Sequence, residues 1–201
     1  MVELHGLILA DRTETGLNEL VACRTSASLP FAGRYRLIDF ALSSLQNAGV
    51  HAVGVIMQQD CQSLLDHIGS GKEWDMSRKR GGLRLLPPFG RQSAGRGDSV
   101  RVIDALLAVE AYIMSRDTLL DLLERCDSAM NRRFHRDGLG GLMEAGGTIN
   151  VYMHEGYAVN IADVTGYYEA SMDMLDAKNR RERFPEDRPV HTQGRADVST
   201  Y

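Results

Sequence analysis

The side chains of this chain that could do chemistry do not form any of the common metal-binding or catalytic patterns. The three cysteines, Cys23, Cys61 and Cys126, stand far apart, which is typical of a reducing cytoplasm and predicts neither a disulfide framework nor a zinc site. The six histidines lack HxH or HExxH spacing, so a protein-bound zinc ion is not expected. His154 and Glu155 could form an acid–base pair, although adjacent residues of this kind are more typical of an exposed strand end.

The elements that must position any site are clearest in residues 28–59. A Pro-Phe-Ala-Gly turn is followed by apolar residues at helical spacing, which predict an amphipathic helix. Gly49 is expected to end the helix in a left-handed conformation, and residues 52–57 read as a buried strand. With the apolar run of residues 4–10, this predicts a right-handed β-α-β unit with parallel strands. The helix places polar residues between its apolar ones: Arg36, Asp39, Ser43 and Gln46.

Composition limits the classes of protein and partner. The 201 residues fit one domain, and a 43% hydrophobic content is sufficient for a buried core. The formal net charge of −4 makes a nucleic acid an unexpected partner. No apolar run reaches the length of a membrane span, and no signal-peptide core follows Met1. We therefore expect a cytoplasmic protein with no membrane partner.

The segment PFAGRYRLIDFALSSLQNAGV, residues 30–50, resembles PFGGKYRLIDFALSNxxNSGI of the glucose-1-phosphate adenylyltransferases, which make ADP-glucose for bacterial glycogen and plant starch. Further on, GKEWD…RKRGGL…LPP is similar to the GlgD-type subunits that accompany the catalytic subunit in some Gram-positive bacteria. The basic run within it could bind an anionic effector or an acidic partner, or be a solvated loop. The resemblance implies an α/β, Rossmann-like nucleotide-diphospho-sugar transferase fold, truncated here, with a mostly parallel sheet flanked by helices.

The resemblance also places a phosphate-binding loop close to AGGxGTRL after the first strand. Its glycines let backbone N–H groups close around phosphates, and its arginine neutralises their charge. Here the glycine positions hold Asp11, Arg12 and Glu14, and the arginine position holds Gly16. The two carboxylates predict that phosphate binding is lost, unless Arg12 rescues a remodelled site.

Three further positions belong to the vestigial nucleotide site that the resemblance implies. Arg24 matches a retained arginine, whereas the phosphate-binding lysine position holds Ser26. Gln58 matches a glutamine at a strand end near the nucleotide base, although a polar strand terminus is an equally good interpretation. The family aspartate that binds magnesium corresponds to Asn160, whose neutral carbonyl is a weaker ligand than a carboxylate. We therefore expect no catalytic residues, no metal site and no tightly bound cofactor.

The resemblance is interrupted in the middle of the chain. Residues 93–98 approach one family segment, but residues 100–107 resemble a strand placed much further downstream, so on the order of a hundred residues are expected to be missing near 98–100. This predicts a nucleotidyltransferase-like α/β domain over 1–184 with an internal deletion, and a linker over 185–201 toward an absent left-handed β-helix.

Retained scaffold positions and replaced ligand positions together favour a non-catalytic or weakly active regulatory subunit. Its partner would be a catalytic glucose-1-phosphate adenylyltransferase subunit in a hetero-oligomer, and magnesium and ATP would be bound only by that partner. Two alternatives remain at this point, a residual adenylyltransferase and a module that binds a sugar phosphate or nucleotide without turnover. A truncated product without function is a further, simpler possibility. In that case lost strands would expose unpaired edges and apolar faces, which predicts aggregation.

Overall fold

Strand β1, Leu4–Leu9, lies inside a four-stranded sheet with the order β5-β4-β1-β6. The structure is a computed structural model that describes residues 4–10, 16–57, 60–78, 81–86, 110–128, 138–150 and 159–194. Strands β4 (Ala52–Ile56) and β5 (Leu83–Leu86) run parallel to β1, whereas β6 (Glu110–Ser115) is antiparallel to it. A short hairpin, β2 (Pro30–Phe31) and β3 (Tyr35–Arg36), forms the second sheet.

Six helices accompany the strands among the residues described. They are α1 (Leu37–Asn47), α2 (Gln62–Ile68), α3 (Arg116–Ser128), α4 (Gly140–Glu144), α5 (Val164–Asp173) and α6 (Ala177–Arg183). Short 3-10 turns occupy Asn18–Val21, Ser26–Ser28 and Lys72–Trp74. Within these ranges, no helix is both long and apolar enough to cross a membrane.

The sheet is covered on both faces because residues alternate across it. Ile8 of β1 and Val53 and Val55 of β4 join the larger core with helix α1, whereas Leu7 and Leu9 of β1 pack on the other face with Leu122 of α3. Helices therefore flank a mostly parallel sheet, which confirms the predicted α/β architecture and the parallel β1–α1–β4 unit.

Helix α1 begins and ends as its sequence predicts. The backbone N–H of Arg36 donates to Asp39 Oδ2 at 2.9 Å, half of a capping box at the first turn. Gly49 follows the helix with φ of 75°, the left-handed conformation expected of it. At the start of α3, the backbone N–H of Thr118 donates to Ser115 Oγ at 3.2 Å. Further along α3, the side chain of Leu122 is buried and that of Leu120 is exposed.

Residues 189–194, which we call the docked segment, lie along helix α1. The backbone N–H of His191 donates to Ser43 Oγ at 2.9 Å, and Asn47 Nδ2 donates to the Pro189 carbonyl at 3.3 Å. Val190 packs against the larger core and Thr192 is buried. This stretch of the predicted linker is thus part of the folded unit, and its role as a connection to a further domain stays a prediction.

Candidate functional site

The parallel strands end together at one edge of the sheet. The backbone N–H of Ala10 donates to the Ile56 carbonyl at 2.9 Å, and that of Met57 donates to the Leu86 carbonyl at 3.1 Å. Ligands of open α/β sheets bind outside such carboxyl ends, so the candidate site lies here. Asp11, Glu14 and Gln58, three residues predicted at this edge, lie outside the described residues, as does the predicted deletion near 98–100.

Gly16, the arginine position of the family loop, is held against the segment that precedes α5. It forms a parallel bridge with Asp163, and the backbone N–H of Val164 donates to the Gly16 carbonyl at 3.2 Å. A Cβ atom at position 16 would lie 2.6 Å from the Ala162 carbonyl oxygen and 2.9 Å from Asp163 Cβ. The backbone therefore leaves no room at this position for an arginine, or for any other side chain, without a local shift.

The same contact brings the predicted metal position to the loop that follows β1. Asn160 precedes Asp163 by three residues, and its side chain is exposed. The nearby carboxylate is already engaged, because Asp163 Oδ1 accepts from the backbone N–H of Gly166 at 2.7 Å and caps α5. Magnesium prefers several oxygen ligands including carboxylates, and the described residues contain no cluster of three His, Cys, Asp or Glu side chains. The described residues around Asn160 thus offer a neutral side chain and a carboxylate that already caps a helix, and the absence of a metal site stays a prediction.

The positions matching the retained arginine and the lost lysine lie in the segment that follows the first 3-10 turn. Ser26 is buried, with a relative exposure of 1%, between the equally buried Thr25 and Ala27. Ser28 Oγ donates to the Thr25 carbonyl at 2.8 Å, which closes this turn on itself. Position 26 thus faces the interior, where an uncompensated lysine charge would be costly.

Arg24 is half-buried and lies near Tyr167 of α5. Burial raises the pKa of Tyr167 above its ordinary value of 10.0, and the positive charge of Arg24 opposes that rise. The Tyr167 hydroxyl donates to the Pro30 carbonyl, and this hydrogen bond connects α5 to the β2–β3 hairpin. Arg24 therefore faces a structural tyrosine, and its predicted part in a nucleotide site stays a prediction.

A groove of about 660 Å³ lies between the β2–β3 hairpin and helices α5 and α6, and sequence reasoning missed it. Its walls are mostly aromatic and apolar, with two guanidinium groups at its rim, from Arg34 and Arg180. Nothing in the separate sequence patterns of the turn and of these later residues indicated that they meet. The sequence signal that could have indicated the groove was the apolar side of α5, which has to pack against another element. The other lining residues are Pro30, Phe31, Ala32, Gly33, Tyr35, Tyr167, Ser171, Met174, Leu175 and Phe184.

Sequence reasoning also missed a buried hydrogen bond between two titratable side chains. Asp39 Oδ1 lies 2.5 Å from His67 Nε2, with both side chains almost fully buried and the Trp74 ring 6.1 Å from the imidazole. Arg36 of strand β3 also donates from Nη1 to Ser63 Oγ on α2 at 2.7 Å. These contacts join α1 to α2 and bury Asp39, which the sequence showed only as a polar residue between apolar ones.

Comparison with known families matches residues 5–136 to the nucleotidyl transferase family. This is more than half of the chain, so the chain belongs to the nucleotidyl transferase family. Its relatives include the glycogen biosynthesis protein GlgD of Geobacillus stearothermophilus, 47% identical over 85 residues, which are 42% of this chain and 25% of that protein. The resemblance noted in residues 30–50 and the GlgD-type pattern are thereby confirmed.

Two further relatives cover more of the chain. The glucose-1-phosphate adenylyltransferase of Clostridium novyi is 33% identical over 140 residues, 67% of this chain and 37% of that protein. GlgD of Bacillus subtilis is 26% identical over 249 aligned positions, 98% of this chain and 71% of that protein. The chain thus spans between a quarter and about seven tenths of these three relatives, two of which are named as proteins of glycogen biosynthesis.

Proposed function

We propose that the chain is a non-catalytic or weakly active regulatory subunit of a glucose-1-phosphate adenylyltransferase in glycogen biosynthesis. It would bind a catalytic subunit and alter that subunit's response to effectors. A coupling of this kind between sites is typically about 1–3 kcal/mol. The observation that carries the proposal is the closure of Gly16 against Asp163, because it occupies the space that a phosphate-binding side chain would need.

The chemistry of adenylyl transfer explains why that closure matters. Transfer from ATP to glucose 1-phosphate needs positioned cations more than covalent help from the protein. Gly16 offers no side chain, Ser26 is neutral and buried, and Asn160 is a neutral residue at a metal position. Three cationic or metal-binding contributions are therefore missing at positions that the fold brings to one side of the sheet.

The names of the relatives leave an enzymatic candidate in place, since several are glucose-1-phosphate adenylyltransferases. A residual adenylyltransferase would release pyrophosphate slowly, and a sugar-phosphate or nucleotide module would bind without turnover. Under the regulatory proposal, magnesium and ATP are bound by the catalytic partner, both subunits are cytoplasmic, and no nucleic acid or membrane is involved.

The first test measures chemistry by the isolated chain. Pyrophosphate release is followed with ATP, magnesium and glucose 1-phosphate, for the wild type and for Asn160→Asp, with Asn160→Ala as the matched control. We expect no turnover from any of the three, because Gly16 and Ser26 are unchanged in each. Turnover by the wild type at a rate comparable with a catalytic subunit would overturn the proposal.

The second test measures association and regulation. The chain is mixed with the catalytic glucose-1-phosphate adenylyltransferase of the same genome, co-purification is scored, and the activator response of the mixture is titrated. We expect a stable complex with a shifted half-saturating activator concentration. Kinetics that stay unchanged at saturating concentrations of the chain count against a regulatory role, and calorimetric binding of ADP-glucose without a complex would favour the binding module.

A further inference from the structure

Helix α5 carries apolar side chains on two opposite faces. One face is buried in the larger core through Ala170 and Met174. The other exposes three large apolar side chains, and with Leu175 in the turn just after the helix they form what we call the α5 stripe: Val164 at 42%, Tyr168 at 62%, Met172 at 46% and Leu175 at 69% relative exposure. A helix that is apolar on both sides is normally buried on both sides, so the stripe requires a partner surface.

The spacing of these residues makes them one continuous surface. Steps of four residues keep Val164, Tyr168 and Met172 on the same face of α5, over about 12 Å at a rise of about 1.5 Å per residue, and Leu175 extends the row in the turn that follows. Single exposed apolar residues are normal on a protein, whereas a contiguous row is typical of an interaction site. Tyrosine and methionine are also enriched at the centres of protein interfaces.

The two sides of the α5 stripe carry opposite charges. By helical geometry, Glu169 and Asp173 lie on one side of the stripe, and Tyr167 and Ser171 lie on the other, facing the groove. The groove side holds the exposed residues Arg34, whose guanidinium group lies over the Tyr35 ring, and Arg180, which donates to the Met174 carbonyl. Leu175 belongs to both stripe and groove. One surface thus carries an acidic side, an apolar centre and a basic side.

We propose that the α5 stripe is the contact surface between two copies of this chain. A two-fold axis that lies in the contact plane and runs along α5 places the acidic side of each copy opposite the basic side of the other. Self-complementarity of this kind is what an isologous interface needs, and it favours a second copy over a partner that would have to match only one sign. The apolar centres then bury one another, and Tyr168 of each copy lies within reach of the groove of the other.

Self-association through this surface is independent of the regulatory role proposed above. It uses side chains on the outer face of α5, of which only the Val164 backbone contacts Gly16, and it is measured on the chain alone. A chain that dimerises but never binds a catalytic subunit would support the interface and refute the regulatory role. A chain that binds a catalytic subunit but stays monomeric alone would support the regulatory role and refute the interface.

The first experiment measures mass in solution by sedimentation velocity over a concentration series. The wild type is compared with Tyr168→Asp and with Met143→Lys, a matched control because Met143 is equally exposed but lies on α4. We expect a wild-type dimer, at least a tenfold weaker association constant for Tyr168→Asp, and no change for Met143→Lys. Circular dichroism establishes that each variant is folded.

The second experiment tests the charge pairing by exchange. Glu169→Arg and Arg180→Glu should each weaken the dimer by a few-fold, and the double variant should regain most of the loss because the pair is restored with reversed signs. A wild type that stays monomeric at every concentration would overturn the proposal. So would a dimer unaffected by Tyr168→Asp, an equal loss in Met143→Lys, or a double exchange that weakens the dimer additively.

Discussion

Removal of the Asp39 carboxylate should destabilise the domain more than any exposed charge change. The carboxylate is fully buried, and its two oxygens serve different elements. One oxygen lies 2.5 Å from His67 Nε2 on α2, and the other accepts the backbone N–H of Arg36 at the start of α1 at 2.9 Å. In Asp39→Ala both partners would remain buried or half-buried without this acceptor.

The expected size follows from those two contacts. Loss of a helix-capping acceptor costs about 1 kcal/mol, and loss of a buried hydrogen bond to a charged group costs about 1.5–3 kcal/mol. We therefore expect a total of about 2.5–4 kcal/mol. Against a typical domain stability of about 5–15 kcal/mol, this would lower the melting temperature by roughly 5–15 °C.

Urea denaturation followed by circular dichroism measures the change in the free energy of unfolding. Asp66→Ala is the matched control, because Asp66 is an exposed α2 residue whose carboxylate accepts only from Gln62 on the same helix in the contacts described, and it should stay within about 0.5 kcal/mol of the wild type. A loss below about 1 kcal/mol for Asp39→Ala would refute this account of the α1–α2 contact. A coupling near zero in the double variant with His67→Ala would refute it as well.

Three further predictions concern contacts at the site and along α1. Gly16→Ala should destabilise by about 1–3 kcal/mol through overpacking, whereas Gly194→Ala, which meets open space, should be neutral in the same urea assay. Ser43→Ala should release the docked segment and speed trypsin cleavage near residue 188, whereas the exposed Ser44→Ala should not. Because burial raises the folded-state pKa of Tyr167, stability should fall as pH rises above 10.0, and Tyr167→Phe should show a smaller fall.

Each of these has a clear contrary result. Equal stability of Gly16→Ala and Gly194→Ala would mean that the Gly16 backbone is free to move away from Asp163. Equal cleavage rates for the two serine variants would mean that the hydroxyl at position 43 does not hold the docked segment. An identical alkaline fall of the urea midpoint in Tyr167→Phe and in the wild type would assign the pH dependence to other groups.

The elements that sequence alone predicted are those whose signal is local. Apolar spacing defines α1, and Gly49 marks its end. The parallel pairing of β1 with β4 follows from the helix between them, since a β-α-β crossover brings its strands together in parallel. Each conclusion needed only residues within one turn or one unit.

The features that sequence missed depend on residues brought together from far along the chain. Asp39 looks like an outer polar residue of an amphipathic helix until His67, 28 residues later, is placed beside it. Ser43 likewise looks like an outer polar residue of α1 until His191, 148 residues later, is placed beside it. At the candidate site, the replacements at positions 16, 26 and 160 were visible in the sequence, but the closure of Gly16 by Ala162 and Asp163 was not.

The bond between Ser43 and His191 also bears on the order of events during synthesis. A ribosome releases helix α1 long before the docked segment emerges. The side of α1 that the docked segment covers is therefore exposed during most of translation. Contacts of such wide separation in the chain are slow to form, and an uncovered apolar side is open to wrong association meanwhile. Nascent chains halted shortly before residue 189 should therefore bind trigger-factor-type chaperones more strongly than finished chains.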